Sequence, residues 1–96
     1  LYFGGNGEDL TAAMWTMQQL VRYGFEVICA EHPGYGTSEG SPSVTTLLAT
    51  ADAVARDARA RADELRVPLV VVGSSLGSFC AVHVAAEGRA DRLLLR

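Results

Sequence analysis

Apolar residues recur along this chain with two different periods. Leu1-Tyr2-Phe3 is a short apolar run that stops at Gly4-Gly5-Asn6-Gly7, as a strand stops at a turn. From Leu10, apolar side chains return every three or four positions, at Ala13, Met14, Met17, Leu20 and Val21. That spacing predicts a helix with one buried face. Asp9 stands where an N-cap would, and Gly24 where the helix would end. Residues 25–30 predict a second strand, and residues 31–43, rich in Gly, Pro and Ser, read as a loop.

The second half repeats the alternation. Ser41-Pro42-Ser43 opens a long helix with Pro in its first turn. Its predicted buried stripe is Val44, Leu47, Leu48, Ala51, Ala55, Ala58, Ala62 and Leu65. The other face carries Asp52–Arg56, Asp57–Arg61 and Arg59–Asp63 at i, i+4, a pattern of a solvated surface rather than a binding patch. Residues 68–72 form a continuous apolar, β-branched run, which predicts a strand covered on both faces. Residues 77–87 are apolar nearly all round and predict a buried helix closed by Gly88. Residues 92–95 start a fourth strand. Strands alternating with helices imply right-handed βαβ units, hence an α/β fold: a parallel sheet with helices on both faces. In such sheets function gathers at the carboxyl ends of the strands. The Gly-rich segments 4–7, 34–40 and 73–77 all fall there.

Length and charge narrow the classes. At 96 residues the chain reads as a single partial domain. Both ends look like cuts through a larger one, because Leu1 opens straight into an apolar run and Leu93-Leu94-Leu95 reads as a strand with nothing after it. With 49% hydrophobic and 20% charged residues the composition is globular, and no apolar run is long enough to span a bilayer. Eight bases against eleven acids give −3, which argues against nucleic acid or an anionic membrane as partner. Cys29 and Cys80 sit in apolar runs and read as two buried reduced thiols, not a disulfide scaffold. A cytoplasmic location is the expectation. No metal site and no cofactor is expected. There is no G-x-x-x-x-G-K-[ST], no Lys, and no G-x-G-x-x-G after a strand, so nucleotide binding fits poorly.

The segment that carries chemistry is Gly73-Ser74-Ser75-Leu76-Gly77, which fits G-x-S-x-G. It follows a predicted buried strand and opens a helix at once, the setting of a nucleophile elbow. The spacing has a steric reason. A nucleophile held on so tight a turn leaves no room for side chains two residues to either side, and Gly73 and Gly77 meet that need. The spacing selects Ser75 over Ser74. The Leu76 amide, at the start of the helix, could hold an oxyanion. A second donor would come from the turn after the first strand, from the amide of Asn6 or of Gly5. The competing reading is a pair of ordinary tight turns without chemistry.

In these residues the chain resembles the α/β-hydrolase superfamily, most closely its bacterial esterase, thioesterase and serine aminopeptidase-like members. Three blocks carry the resemblance, in the family's order. They are Leu1-Tyr2-Phe3-Gly4-Gly5-Asn6-Gly7-Glu8-Asp9, then Glu31-His32-Pro33-Gly34-Tyr35-Gly36-Thr37-Ser38-Glu39-Gly40-Ser41-Pro42-Ser43, then Val72-Gly73-Ser74-Ser75-Leu76-Gly77-Ser78. They correspond to the family's oxyanion loop, its Asp-x-x-Gly-x-Gly-x-Ser-x-Gly loop and its elbow. The resemblance spans the chain as the family's strands 3 to 6. Gly4 stands where the family usually has His, and Glu31 and Pro33 replace the usual Asp and Arg. The family's triad runs Ser, acid, His, with the last two beyond these strands. The resemblance implies a serine hydrolase of carboxylic esters or thioesters, working through an acyl-enzyme on a small-molecule acyl substrate. The alternatives are an acyltransferase, a non-catalytic small-molecule binding module, or an inactive fragment on the same fold.

The two histidines do not supply the base. His83 follows Ser75 by eight positions on one helix, about 12 Å along the axis, whereas a base must lie within about 3 Å of the hydroxyl. It reads as a packed helix histidine. His32 falls at the active edge, but in the family's strand order its strand is two places away, about 10 Å sideways. It is assigned with Tyr35 to the substrate pocket.

Overall fold

The structure, a computed structural model, describes residues 1–5, 10–30 and 43–96. Strands and helices alternate as β1 (Tyr2–Phe3), α1 (Leu10–Arg22), β2 (Cys29–Ala30), α2 (Val44–Leu65), β3 (Val70–Gly73), α3 (Leu76–Ala86) and β4 (Arg92–Leu95). The sheet order is β2-β1-β3-β4, and every pairing is parallel. The register places Tyr2 opposite both Cys29 and Val72, and Val72 opposite Leu94. The chain steps one way from β1 to β2 and then the other way to β3 and β4. Right-handed crossovers therefore put α1 on one face and α2 with α3 on the other. The packing of α2 against α3 agrees. This is the α/β sheet that the alternation predicts.

The core lies between the sheet and α2–α3. Phe3, Val71, Cys80, Ala81 and Val84 are fully buried in it. Ala51, Ala55, Ala58 and Ala62 line the inner face of α2, and their small side chains let the helix lie close. Burial pushes the Cys80 thiol pKa up, so it stays protonated. Cys29, expected to be buried as well, is half-buried, and the two cysteines are not disulfide-bonded to each other.

Several boundaries move, each for a local reason. The long helix starts at Val44 rather than with Pro in its first turn; Ser43 is its N-cap. The Ser43 hydroxyl accepts from the Thr46 amide at 3.1 Å, and the Thr46 hydroxyl accepts from the Ser43 amide at 3.0 Å. That reciprocal pair satisfies two donors at the helix start. The third strand begins at Val70 rather than at Pro68, which has no N–H for a ladder. The Leu69 amide instead donates to the Asp91 carboxylate at 2.8 Å. The second strand, expected over 25–30, is reduced to Cys29–Ala30 because β1 offers it only two residues to pair with. Gly24 and Gly88 end α1 and α3 as expected, with φ of 90° and 77°.

Burial departs from the pattern at the helix ends and outer faces. Val44 and Leu65, at the two ends of α2, are exposed, as are Met14 and Val21 on α1. Helix α3 is not buried all round, since Phe79 and Val82 are exposed at 47% and 45%. Its inner face takes Gly77, Cys80, Ala81 and Val84. Of the i, i+4 pairs, Arg59–Asp63 forms at 2.9 Å. Arg61 reaches across to Glu26 at 2.8 Å rather than to Asp57, and Asp52 turns toward His83.

Candidate active site

Gly73 ends β3 and Leu76 begins α3, so Ser74 and Ser75 alone make the turn. Ser75 has φ 53° and ψ −116°. Among the described residues it and Arg66 are the non-glycine residues with positive φ. Arg66 has the left-handed geometry of a helix end, whereas the ψ of Ser75 lies far from that well. The conformation costs on the order of 1–3 kcal/mol and persists only where neighbours over-determine it. They do so here. The Ser74 amide donates to the Phe3 carbonyl at 3.0 Å, tying the turn to β1. The Gly77 amide donates to the Ser74 carbonyl and the Ser78 amide to the Ser75 carbonyl, both at 2.9 Å. The Ser78 hydroxyl donates to the Gly73 carbonyl at 3.3 Å.

Sterics explain the two flanking glycines. A Cβ on Gly73 would lie 2.6 Å from the Gly77 carbonyl oxygen and 2.7 Å from the Ala81 Cβ. A Cβ on Gly77 would collide with the backbone carbonyls of Phe3 and Gly4. The same packing brings the segment after β1 over the turn. A Cβ on Gly5 would stand 3.4 Å from the Ser75 Cβ and 3.4 Å from the Ser74 carbonyl oxygen. Gly5, Gly73, Ser75, Leu76 and Gly77 are therefore brought together at the carboxyl edge of the sheet. Asn6, His32 and Tyr35 lie outside the described residues.

The Ser75 side chain is exposed. It occupies the N-cap position of α3 but makes no side-chain capping bond. The Leu76 amide opens the helix where no intrahelical acceptor exists, at the positive end of the helix dipole. The site thus sets an uncommitted hydroxyl beside donors that attract negative charge.

His83 lies between α2 and α3, yet its partners are not apolar. Its Nε2 is 2.9 Å from the Asp52 Oδ1 and 3.6 Å from the Glu87 Oε1. His83 lies in the second half of α3, away from the turn. A separate apolar cavity of about 150 Å³ is lined by Tyr2, Leu20, Phe25, Val67, Val72 and Leu94, and Ser75 is not among its lining residues.

The model of the alpha/beta hydrolase family matches residues 3–95. An uncharacterized membrane protein of Saccharomyces cerevisiae, YNL320W, is 35% identical over 68 residues. That match covers 71% of this chain and 24% of the yeast protein, so the chain spans about a quarter of this relative's length. No solved structure matches the chain. Among the described residues no helix is long and apolar enough to cross a membrane.

Proposed function

The chain belongs to the alpha/beta hydrolase family, and from that premise we propose that it carries the nucleophile of a serine hydrolase acting on carboxylic esters or thioesters. The observation that supports this best is the backbone of Ser75, held at φ 53° on a strand-to-helix turn with Gly5 against it. In this reading the Ser75 Oγ attacks the acyl carbonyl carbon while its proton passes to a histidine. The tetrahedral oxyanion takes hydrogen bonds from the Leu76 amide and from the amide of Asn6 or Gly5. Collapse expels the alcohol or thiol, which takes the proton back, and leaves an acyl-serine. Water then repeats the sequence and frees the acid. An alcohol in place of water makes the same site an acyltransferase.

His83 is not that base. It is engaged with Asp52, and it lies eight positions beyond Ser75 along α3. The general base and its acid come from outside residues 1–96, which this reading treats as part of one larger hydrolase domain. The partial match to the yeast relative supports that view. His32 and Tyr35 remain assigned to the substrate pocket, and a cytoplasmic location goes with the reading.

The test is covalent labelling of the protein with a fluorophosphonate probe, mapped by mass spectrometry. The label is expected on Ser75 and absent from Ser75→Ala. A protein that binds an acyl ligand without labelling or turnover would instead be a binding module on this fold.

A further inference from the structure

A second cluster of chemically competent side chains lies away from Ser75. Asp52 projects from the middle of α2, and His83 and Glu87 stand one helical turn apart at the end of α3. One ligand atom from each, an imidazole nitrogen and two carboxylate oxygens, lie within 4.8 Å of one another. The His83–Asp52 separation is 2.9 Å and the His83–Glu87 separation is 3.6 Å. Ligand atoms bound at about 2.0–2.2 Å around a tetrahedral zinc ion lie about 3.4 Å apart, between those two values. His83 and Asp52 are a quarter to a third exposed and Glu87 is more so, which leaves an entry path and room for water as fourth ligand.

We propose that Asp52, His83 and Glu87 form a binding site for a divalent transition-metal ion that ties α2 to α3. The imidazole selects borderline ions such as Zn²⁺ or Co²⁺ over Mg²⁺ and Ca²⁺, which favour all-oxygen sets. Arg89 is the built-in competitor. Its guanidinium lies 3.8 Å from Asp52 Oδ1 and 4.0 Å from Glu87 Oε2, and it donates to the Asp52 carbonyl at 3.2 Å. It offsets the two carboxylates when no ion is bound and must swing aside when one is.

The competitor makes the test two-sided. Titration of the protein with Zn²⁺ by calorimetry is expected to show one saturable site per chain, and Zn²⁺ is expected to raise the melting temperature. Co²⁺ is expected to give visible d–d absorption. Glu87→Gln and His83→Gln, the latter able to keep a hydrogen bond to Asp52, are expected to weaken Zn²⁺ binding at least about tenfold. Arg89→Gln is expected to tighten it. Absence of saturable Zn²⁺ binding overturns the proposal. So does binding that survives His83→Gln undiminished, which would place the ion elsewhere, for example on the Cys29 thiol.

Discussion

Ser75 concentrates two demands in one residue. Its backbone sits where glycine is most at ease, yet the proposed nucleophile requires a serine hydroxyl there. Ser75→Gly is therefore expected to stabilise the fold by about 1 kcal/mol by relieving the positive φ, while Ser75→Ala keeps the strain and gains nothing comparable. Both remove the fluorophosphonate label. Urea denaturation of the two variants beside the parent checks the sign, and equal stability would show that the turn is not strained. The flanking glycines answer to space alone. Gly77→Ala drives a methyl into the Phe3 and Gly4 carbonyls, and a cost of at least about 1–3 kcal/mol is expected from the same denaturation series. The need for small residues at 73 and 77 was legible in the sequence, because a nucleophile turn forbids side chains there. The approach of Gly5 to Ser75, 70 positions apart, was legible only through the elbow motif and its need for a second oxyanion donor, not through any local pattern. The Asp52–His83 pair was not legible at all. Its members lie 31 positions apart, and His83 sits in a run otherwise apolar.

At the scale of elements, α2 and the loop before β4 carry the arguments. The alanine face of α2 was read correctly from its period, and its purpose is close approach. Ala55→Leu is therefore expected to cost about 1–3 kcal/mol, seen as a lower denaturation midpoint with an unchanged slope. Asp91 links three elements: it accepts the Leu69 amide at 2.8 Å and the Arg59 guanidinium at 3.0 Å. The Leu69 amide first, and Arg59 after it, hold the Asp91 carboxyl below the usual range. An acid depressed in the folded state contributes stability above its unfolded pKa and loses it as pH falls through the folded value. The parent is thus expected to lose stability below about pH 4. Asp91→Asn, which can still accept from Leu69 but bears no charge, is expected to lose less over that range. Thermal melts between neutral and acid pH decide it. Strand limits were less legible than helices. A strand ends where its partner or its N–H donors run out, and a two-residue β1 and a proline at 68 decide that from outside the local pattern.

For the molecule as a whole, what separates a good turn from a catalyst is proton transfer. A serine hydroxyl at neutral pH is a weak nucleophile unless a base removes its proton as it attacks, a contribution of about 10²–10⁴-fold. Residues 1–96 hold two histidines. His83 is turned to Asp52 in the second half of α3, and His32, outside the described residues, is assigned in the proposed reading to the substrate pocket rather than to the base. A chain of residues 1–96 by itself is therefore expected to show no ester hydrolysis above a Ser75→Ala control, measured with an activated aryl ester. The same chain exposes apolar side chains along its β4 edge. Leu93, Leu94 and Leu95 on β4 are 40%, 56% and 49% exposed, and in the described sheet β4 pairs only with β3. An uncovered parallel edge with an apolar face invites pairing with whatever continues the sheet, or with another copy. Sedimentation velocity on the 96-residue chain is expected to show concentration-dependent association, reduced by Leu94→Lys. Ester hydrolysis that rose with such association, and fell with Leu94→Lys, would mean that the assembled edge supplies the missing base. Hydrolysis by the dilute monomer would mean that a group within residues 1–96 already reaches Ser75.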